Sequence, residues 1–203
     1  MVPYAGRVPP PNAARRRALA TAATELVVAQ GLHGLTHRSV DRQAGVPAGT
    51  TSNYFPSRDA LLVAVAEQLV ERHHEDMHSQ TEQARGGRRR RGTLAEAVDL
   101  IAGSLLHAAT AERDRYLAIF ELQGELRRRP ELADTLGALV ARAAQDTAAY
   151  HREYELPIPP AAVPTLQALY GGALLALLSL PPERVTRDAA RGYAAAMIHG
   201  VRG

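Results

Sequence analysis

Residues 73–78 read HHEDMH, and within them His74-Glu75-Asp76-Met77-His78 forms an H-E-x-x-H pattern. Two histidines four apart share one face of a helix. There they can ligate zinc, with the intervening glutamate as general base. Hydrolysis at such a centre also needs a third protein ligand, an open coordination position and a substrate cleft. No third-ligand motif is recognisable downstream, and no cysteine is present to supply a thiolate. The pattern is therefore read as two histidines one turn apart on an ordinary helix surface. No catalytic residue, metal or cofactor is assigned. A zinc-dependent hydrolase using His74, Glu75 and His78 stands as the alternative.

A second set of residues points to nucleic acid. Arg15, Arg16 and Arg17 occupy the first turns of a helix that Asn12 can cap after three prolines. Cations at that end oppose the helix macrodipole, and a phosphate backbone would relieve the conflict while releasing counterions. Further on, Ala48, Gly49, Thr50, Thr51, Ser52 and Asn53 form a run of small and polar residues after AGVPA. Small residues let a helix sink into the major groove, where hydroxyls and an amide reach base edges or phosphates. Charge follows the same division. Residues 1–56 carry six arginines and two acids, whereas residues 93–203 carry eleven arginines and thirteen acids. The positive excess therefore lies at the N-terminal end and implies an anionic partner there.

Helices must position both sets. Apolar residues recur with helical period and no strand alternation is evident, so the chain is expected to be all-α with about nine helices. The first runs from Asn12 to Gly31, the second from Thr36 to Gly45 and the third, about two turns, enters through Pro47. The last two, joined by a tight turn, describe a helix-turn-helix. Gly45 permits a left-handed backbone in that turn, and Val46 plugs the gap between the helices. A long fourth helix is capped by Ser57. Others follow near 94–109, 113–129, 131–154, 162–180 and 184–200. The expected division is a lead-in at 1–12, a DNA-binding domain at 13–56 and a helical body at 57–203, whose residues 57–84 form the connecting helix. The N-terminus lacks an apolar core of the secretory kind, no long uninterrupted apolar segment is apparent, and a cytoplasmic protein without a membrane is the default. RGGRRRRG, residues 85–92, reads as a solvated loop, since a helix of ~28 residues would carry it ~40 Å from the DNA-binding unit.

ARRRALATAATELVVAQGLHGLTHRSVDRQAGVPAGTTSNYFPSRDALLVAV, residues 14–65, resembles the N-terminal domain of the tetracycline-repressor (TetR) family of bacterial transcription regulators. The combination QGLHGLT, AGVPAGTTSNYF and SRDALL carries the likeness. It implies a dimeric regulator, a ligand-released repressor on a palindromic operator. Its expected partners are double-stranded DNA, a small hydrophobic or amphipathic effector and a second copy of the chain. A non-specific architectural DNA binder is the other alternative. The DNA-binding residues so implied are Arg15, Arg16, Arg17, Thr36, Arg38, Pro47, Ala48, Gly49, Thr50, Thr51, Asn53, Tyr54 and Arg58. Three positions depart from the family pattern. Ser52 stands where an aromatic is common, Pro56 where lysine is common, and Asp41 where a small residue, often alanine, is found.

In the body, the resemblance implies a ligand pocket between helices. Polar-tipped or bulky residues within apolar helices are its candidate lining: His107, Tyr116, Phe120, Gln123, Tyr150, Tyr154 and Tyr170. The run TLQALYGGALLALLSLPP, residues 165–182, is apolar nearly all round, so a full turn of it must be covered. With the last helix it is expected to form a four-helix bundle between two chains, through Leu166, Leu169, Gly172, Ala173, Ala176, Tyr193 and Met197.

Overall fold

The computed structural model describes residues 12–86 and 92–201. Most of the expected lead-in and of RGGRRRRG, at 1–11 and 87–91, lies outside the described residues. Among the described residues there are nine α-helices and no strand, the all-α class that the periodicity predicts. The chain divides into two compact units between Gln68 and Leu69.

The first unit contains α1 (Ala13–Gln30), α2 (His37–Gln43), α3 (Thr50–Tyr54) and the opening turns of α4 (Arg58–Arg85). Asn12 caps α1, its side chain accepting from the N–H groups of Ala14 (2.9 Å) and Arg15 (3.4 Å). Thr36 opens α2 with a reciprocal capping box to Ser39, which satisfies two otherwise orphaned donors. Leu19, Leu26, Val27, Leu35, Val40, Phe55, Leu61, Leu62 and Val65 form the buried core. The division falls inside α4 because Leu61, Leu62 and Val65 of its first turns are buried with this core. The third helix is shorter than its sequence suggested. Gly49 at φ 87° holds a left-handed turn, so Pro47, Ala48 and Gly49 lead into α3 and are not part of it.

The second unit takes the rest of α4 together with α5 (Leu94–Ala109), α6 (Arg113–Arg127), α7 (Ala133–Glu153), α8 (Val163–Leu178) and α9 (Arg187–Gly200). Thr93 and Thr186 cap α5 and α9. Alanines Ala97, Ala102, Ala108, Ala190 and Ala194 are buried in a core shared with Leu105, Leu174, Leu177 and Ile198; such small side chains let helix axes approach closely. Pro130 and Pro182 each begin a single 3-10 turn, so α7 and α9 start two to three residues later than periodicity suggested. Pro160–Leu178, 19 residues of mean hydropathy 1.6, is long and apolar enough to cross a membrane, and a third of it is buried inside the body. It contains most of the run, residues 165–182, that the sequence shows as apolar nearly all round.

Candidate nucleic-acid interface and the histidine face of the fourth helix

A helix of five residues is too short to hold itself together in water, and α3 is framed from outside at both ends. At its start stands Asp41 of α2, 4% exposed. Its Oδ2 accepts the Gly49 N–H at 2.7 Å, and its Oδ1 accepts both the Thr51 N–H at 2.7 Å and the Thr51 hydroxyl at 2.6 Å. Burial alone would raise the pKa of this carboxyl. The hydrogen bonds from the Thr51 hydroxyl, the Thr51 N–H and the Gly49 N–H, with the nearby His37, outweigh it and hold the pKa below its ordinary value. At the end of α3, Arg16 donates to the Tyr54 carbonyl at 2.9 Å, and its guanidinium lies 4.3 Å over the Phe55 ring. His37 Nε2 donates to the Phe55 carbonyl at 2.7 Å.

This frame sorts the residues expected to meet DNA. Thr51 is fully buried with its hydroxyl donated to Asp41, so it is a framing residue and not a surface contact. Arg16 is engaged at the C-terminus of α3, where a cation complements the helix dipole. Arg58 is exposed, and its guanidinium donates to the carbonyls of Leu35 (2.6 Å) and Leu32 (2.9 Å), closing the turn before α2. Arg15, Arg17, Thr36, Arg38, Pro47, Ala48, Gly49 and Asn53 are exposed, and Thr50 and Tyr54 are half-buried. Asp41 was legible only as a departure from the family pattern. The signal that could have assigned it was an acid in α2 ten residues before a threonine in the next helix.

In the second unit, α4 presents a polar face held by hydroxyls. His73 Nδ1 lies 2.7 Å from the Tyr116 hydroxyl, and the Tyr170 ring is 6.0 Å from the His73 ring. The Tyr170 hydroxyl pairs with Ser104 at 2.8 Å. His74 Nε2 is 3.2 Å from the Thr147 hydroxyl, which also accepts from Gln167 at 2.9 Å. The Tyr154 hydroxyl donates to Glu82 at 2.8 Å and accepts from His78 Nδ1 at 3.3 Å. Thr81 pairs with Tyr150, and Asp76 with Arg115. Arg85 closes the row, donating to Glu96 (3.0 Å) and to the Tyr154 carbonyl (2.6 Å). Burial, then the neighbouring His74 and Arg115, push the His73 pKa down to about 4, and burial pushes Tyr116 up to about 12. Both groups are therefore neutral across the physiological range. The histidines of the H-E-x-x-H pattern point to different hydroxyls, and Glu75 is exposed.

Of the expected pocket residues, Tyr116 and Tyr170 meet around His73, and Tyr150 and Tyr154 around His78. Phe120 is half-buried against the core, His107 is half-buried and Gln123 is exposed. His73, Thr147 and Gln167 were not among the expected lining. Of the expected interface residues, Leu166 and Ala173 of α8 and Met197 of α9 lie in the core of the second unit at 5%, 6% and 4% exposure, because one side of each helix packs inward. Ala176 is half-buried, whereas Leu169, Gly172 and Tyr193 are exposed, together with Leu175 at 49%.

Two family descriptions match the chain: "Tetracyclin repressor-like, C-terminal domain" over residues 92–201 and "Bacterial regulatory proteins, tetR family" over residues 19–65. No curated protein matches it. Among solved structures, the multidrug binding protein EbrR complexed with ethidium superposes with a TM-score of 0.67 at 24% identity, covering 92% of this chain and 99% of that one. A member of the TetR family from Streptomyces coelicolor A3 gives 0.65 at 24% identity over 90% and 97% of the two chains. A transcriptional regulator from Rhodococcus sp. Rha1 gives 0.64 at 20% over 91% and 96%. These likenesses establish the fold.

Proposed function

Since the chain belongs to the TetR family of bacterial regulatory proteins, and is thus a DNA-binding regulator, we propose that it is a repressor. In this reading its homodimer holds a palindromic operator until a small molecule entering the second unit releases it. The observation that carries the DNA-binding half is the frame around α3. Asp41 and Arg16 fix both ends of a five-residue helix whose outward residues are small or polar, so the reading surface is formed before DNA arrives. The release half is supported by the hydroxyl-held face of α4. A ligand that takes the Tyr116 or Thr147 hydroxyl from His73 or His74 would loosen the body half of the helix that, at its other end, carries Arg58. Differential affinity for the two positions of α4 is what would shift the equilibrium.

Footprinting on DNA flanking its own gene, at two salt concentrations, tests the reading. A protected palindrome that survives the higher salt is expected. Diffuse protection without a boundary would favour the architectural binder instead. A compound that binds tightly yet leaves operator affinity unchanged is not the inducer.

Two further outcomes are expected. The side chains of Arg15 and Arg17 make no hydrogen bond or ion pair among the described residues, so replacing both by alanine should leave the folded unit intact. For every phosphate that then goes unneutralised, the slope of log affinity against log salt should shrink by about 0.9, with base preference unchanged. A slope equal to that of the parent protein would remove both residues from the interface. Separately, the exposed Leu169, Leu175 and Tyr193 form the face we assign to the second copy. Leu175→Arg should convert a dimer to a monomer in sedimentation experiments while helix content is retained; an unchanged mass would place the interface elsewhere.

A further inference from the structure

The hydroxyls on α3 are engaged within the protein. Thr50 donates to the Pro47 carbonyl at 2.6 Å, Thr51 to Asp41 at 2.6 Å and Ser52 to the Gly49 carbonyl at 2.8 Å. Their protons are therefore committed, and Thr50 and Ser52 face outward only as acceptors. Asn53 differs. It is exposed, and its carboxamide makes no hydrogen bond among the described residues. Successive residues of a helix turn by ~100°, which puts Asn53 ~200° around α3 from Thr51, on the side opposite the buried one. Pro47, Ala48 and Gly49, all exposed, leave little bulk beside it to keep a groove at a distance.

From this arrangement we infer that Asn53 is the specificity-determining residue of the recognition helix and that its base is adenine. A carboxamide offers one acceptor and one donor side by side. In the major groove adenine presents the matching N6 donor and N7 acceptor, whereas guanine presents two acceptors at O6 and N7. An acceptor-only hydroxyl cannot make that distinction with two bonds. Thr50 contributes shape, through its methyl group, and Ser52 contributes a single acceptor. The inference rests on the reading of this chain as a sequence-specific operator binder.

Selection of binding sites from random double-stranded DNA by the full-length protein, repeated with Asn53→Ala and Ser52→Ala, tests it. The parent protein is expected to select adenine at one position in each half-site. Asn53→Ala, at an exposed site where folding is not at stake, should erase the preference at that position alone. It should weaken binding to the selected site on the order of 10-fold to 100-fold, the range of one bidentate base pairing. Ser52→Ala should retain the adenine. If the parent selects a site and Asn53→Ala selects the same one, with affinity lowered evenly for all sequences, Asn53 touches phosphate and the inference fails while the operator reading stands. If the erased position is not adenine, the assignment of the base fails. If the parent protein selects no sequence, the operator reading fails and the inference falls with it.

Discussion

Asp41→Ala should destabilise the first unit by on the order of 3 kcal/mol and weaken operator binding at least tenfold. The carboxylate satisfies two backbone donors and one hydroxyl at 2.6–2.7 Å. Stranding a buried donor costs ~1–3 kcal/mol each; Gly49 is exposed, so water recovers part of that loss. The Thr51 side has no such relief. Asp41→Asn should fall between the two, because its Oδ1 still accepts from Thr51 while its NH2 opposes the Gly49 N–H. Thr51→Val removes the hydroxyl bond and leaves the two backbone bonds, so its cost should be near 1 kcal/mol. Hydrogen exchange at the Gly49 and Thr51 amides of the full-length protein reads the frame directly. Protection that is unchanged in Asp41→Ala would show that α3 is held by something else. The pKa of Asp41 lies below its ordinary value in the folded state. Its contribution is thus complete above the normal carboxylate range near pH 4 and is lost as pH falls through the lowered folded value. Asp41→Ala should therefore flatten that part of the acid limb of stability.

A second loss of stability is expected at milder acidity, in the body. Burial pushes the pKa of His73 and of His151 to about 4, whereas an unfolded histidine titrates near 6.5. Above the unfolded value both states are neutral and stability is flat. Between about 6.5 and 4 only the unfolded chain takes up the proton, so stability falls; below about 4 both states are charged and this contribution levels off. At 1.36 kcal/mol per pK unit, His151, 5% exposed, should cost on the order of 3 kcal/mol over that window. His73, whose pKa is pushed to the same value, should cost a similar amount. Its surroundings limit relief on protonation: Tyr116 and Tyr170 face it as neutral hydroxyls, and Asp76 is already paired with Arg115. Urea unfolding at pH 7, 6, 5 and 4.5 should show the decline. His151→Leu and His73→Gln should each reduce it. Curves parallel to the parent's would mean that neither ring titrates out of the folded core.

How much of this was legible depends on whether a residue's role is set by its own helix or by a neighbouring one. Asn12, Thr36 and Ser57 cap helices a few residues away, and local spacing revealed each of them. The all-α class and the order of helices followed from periodicity for the same reason. Asp41, Arg16 and Arg58 act across ten to forty residues on another helix's backbone. Nothing in local spacing shows that Arg16 and Arg58 hold the carbonyls of distant residues, and the sequence offered only the DNA contact expected of them. Thr51 was misplaced because hydroxyls on α3 look alike until one side of the helix is known to face Asp41. In the body, Leu166 is buried whereas Leu169, only ~60° around α8 from it, is exposed. A helix apolar all round gives no sign of which side packs inward. His74 and His78 had the spacing for a shared ligand, but Thr147 and Tyr154, contributed by α7 and the residue that ends it, take them separately.

Because the ends of α3 are fastened by side chains that α3 does not contain, its outward positions carry little responsibility for folding. Asn53 is exposed and makes no hydrogen bond among the described residues, so a change there should leave the fold of the protein intact. The inward position is bound by the opposite rule. The Thr51 hydroxyl has its partner in the acid at position 41, whereas that acid keeps its two backbone bonds whatever side chain stands at position 51. Anyone transplanting this reading head onto another scaffold would need to move the pair together.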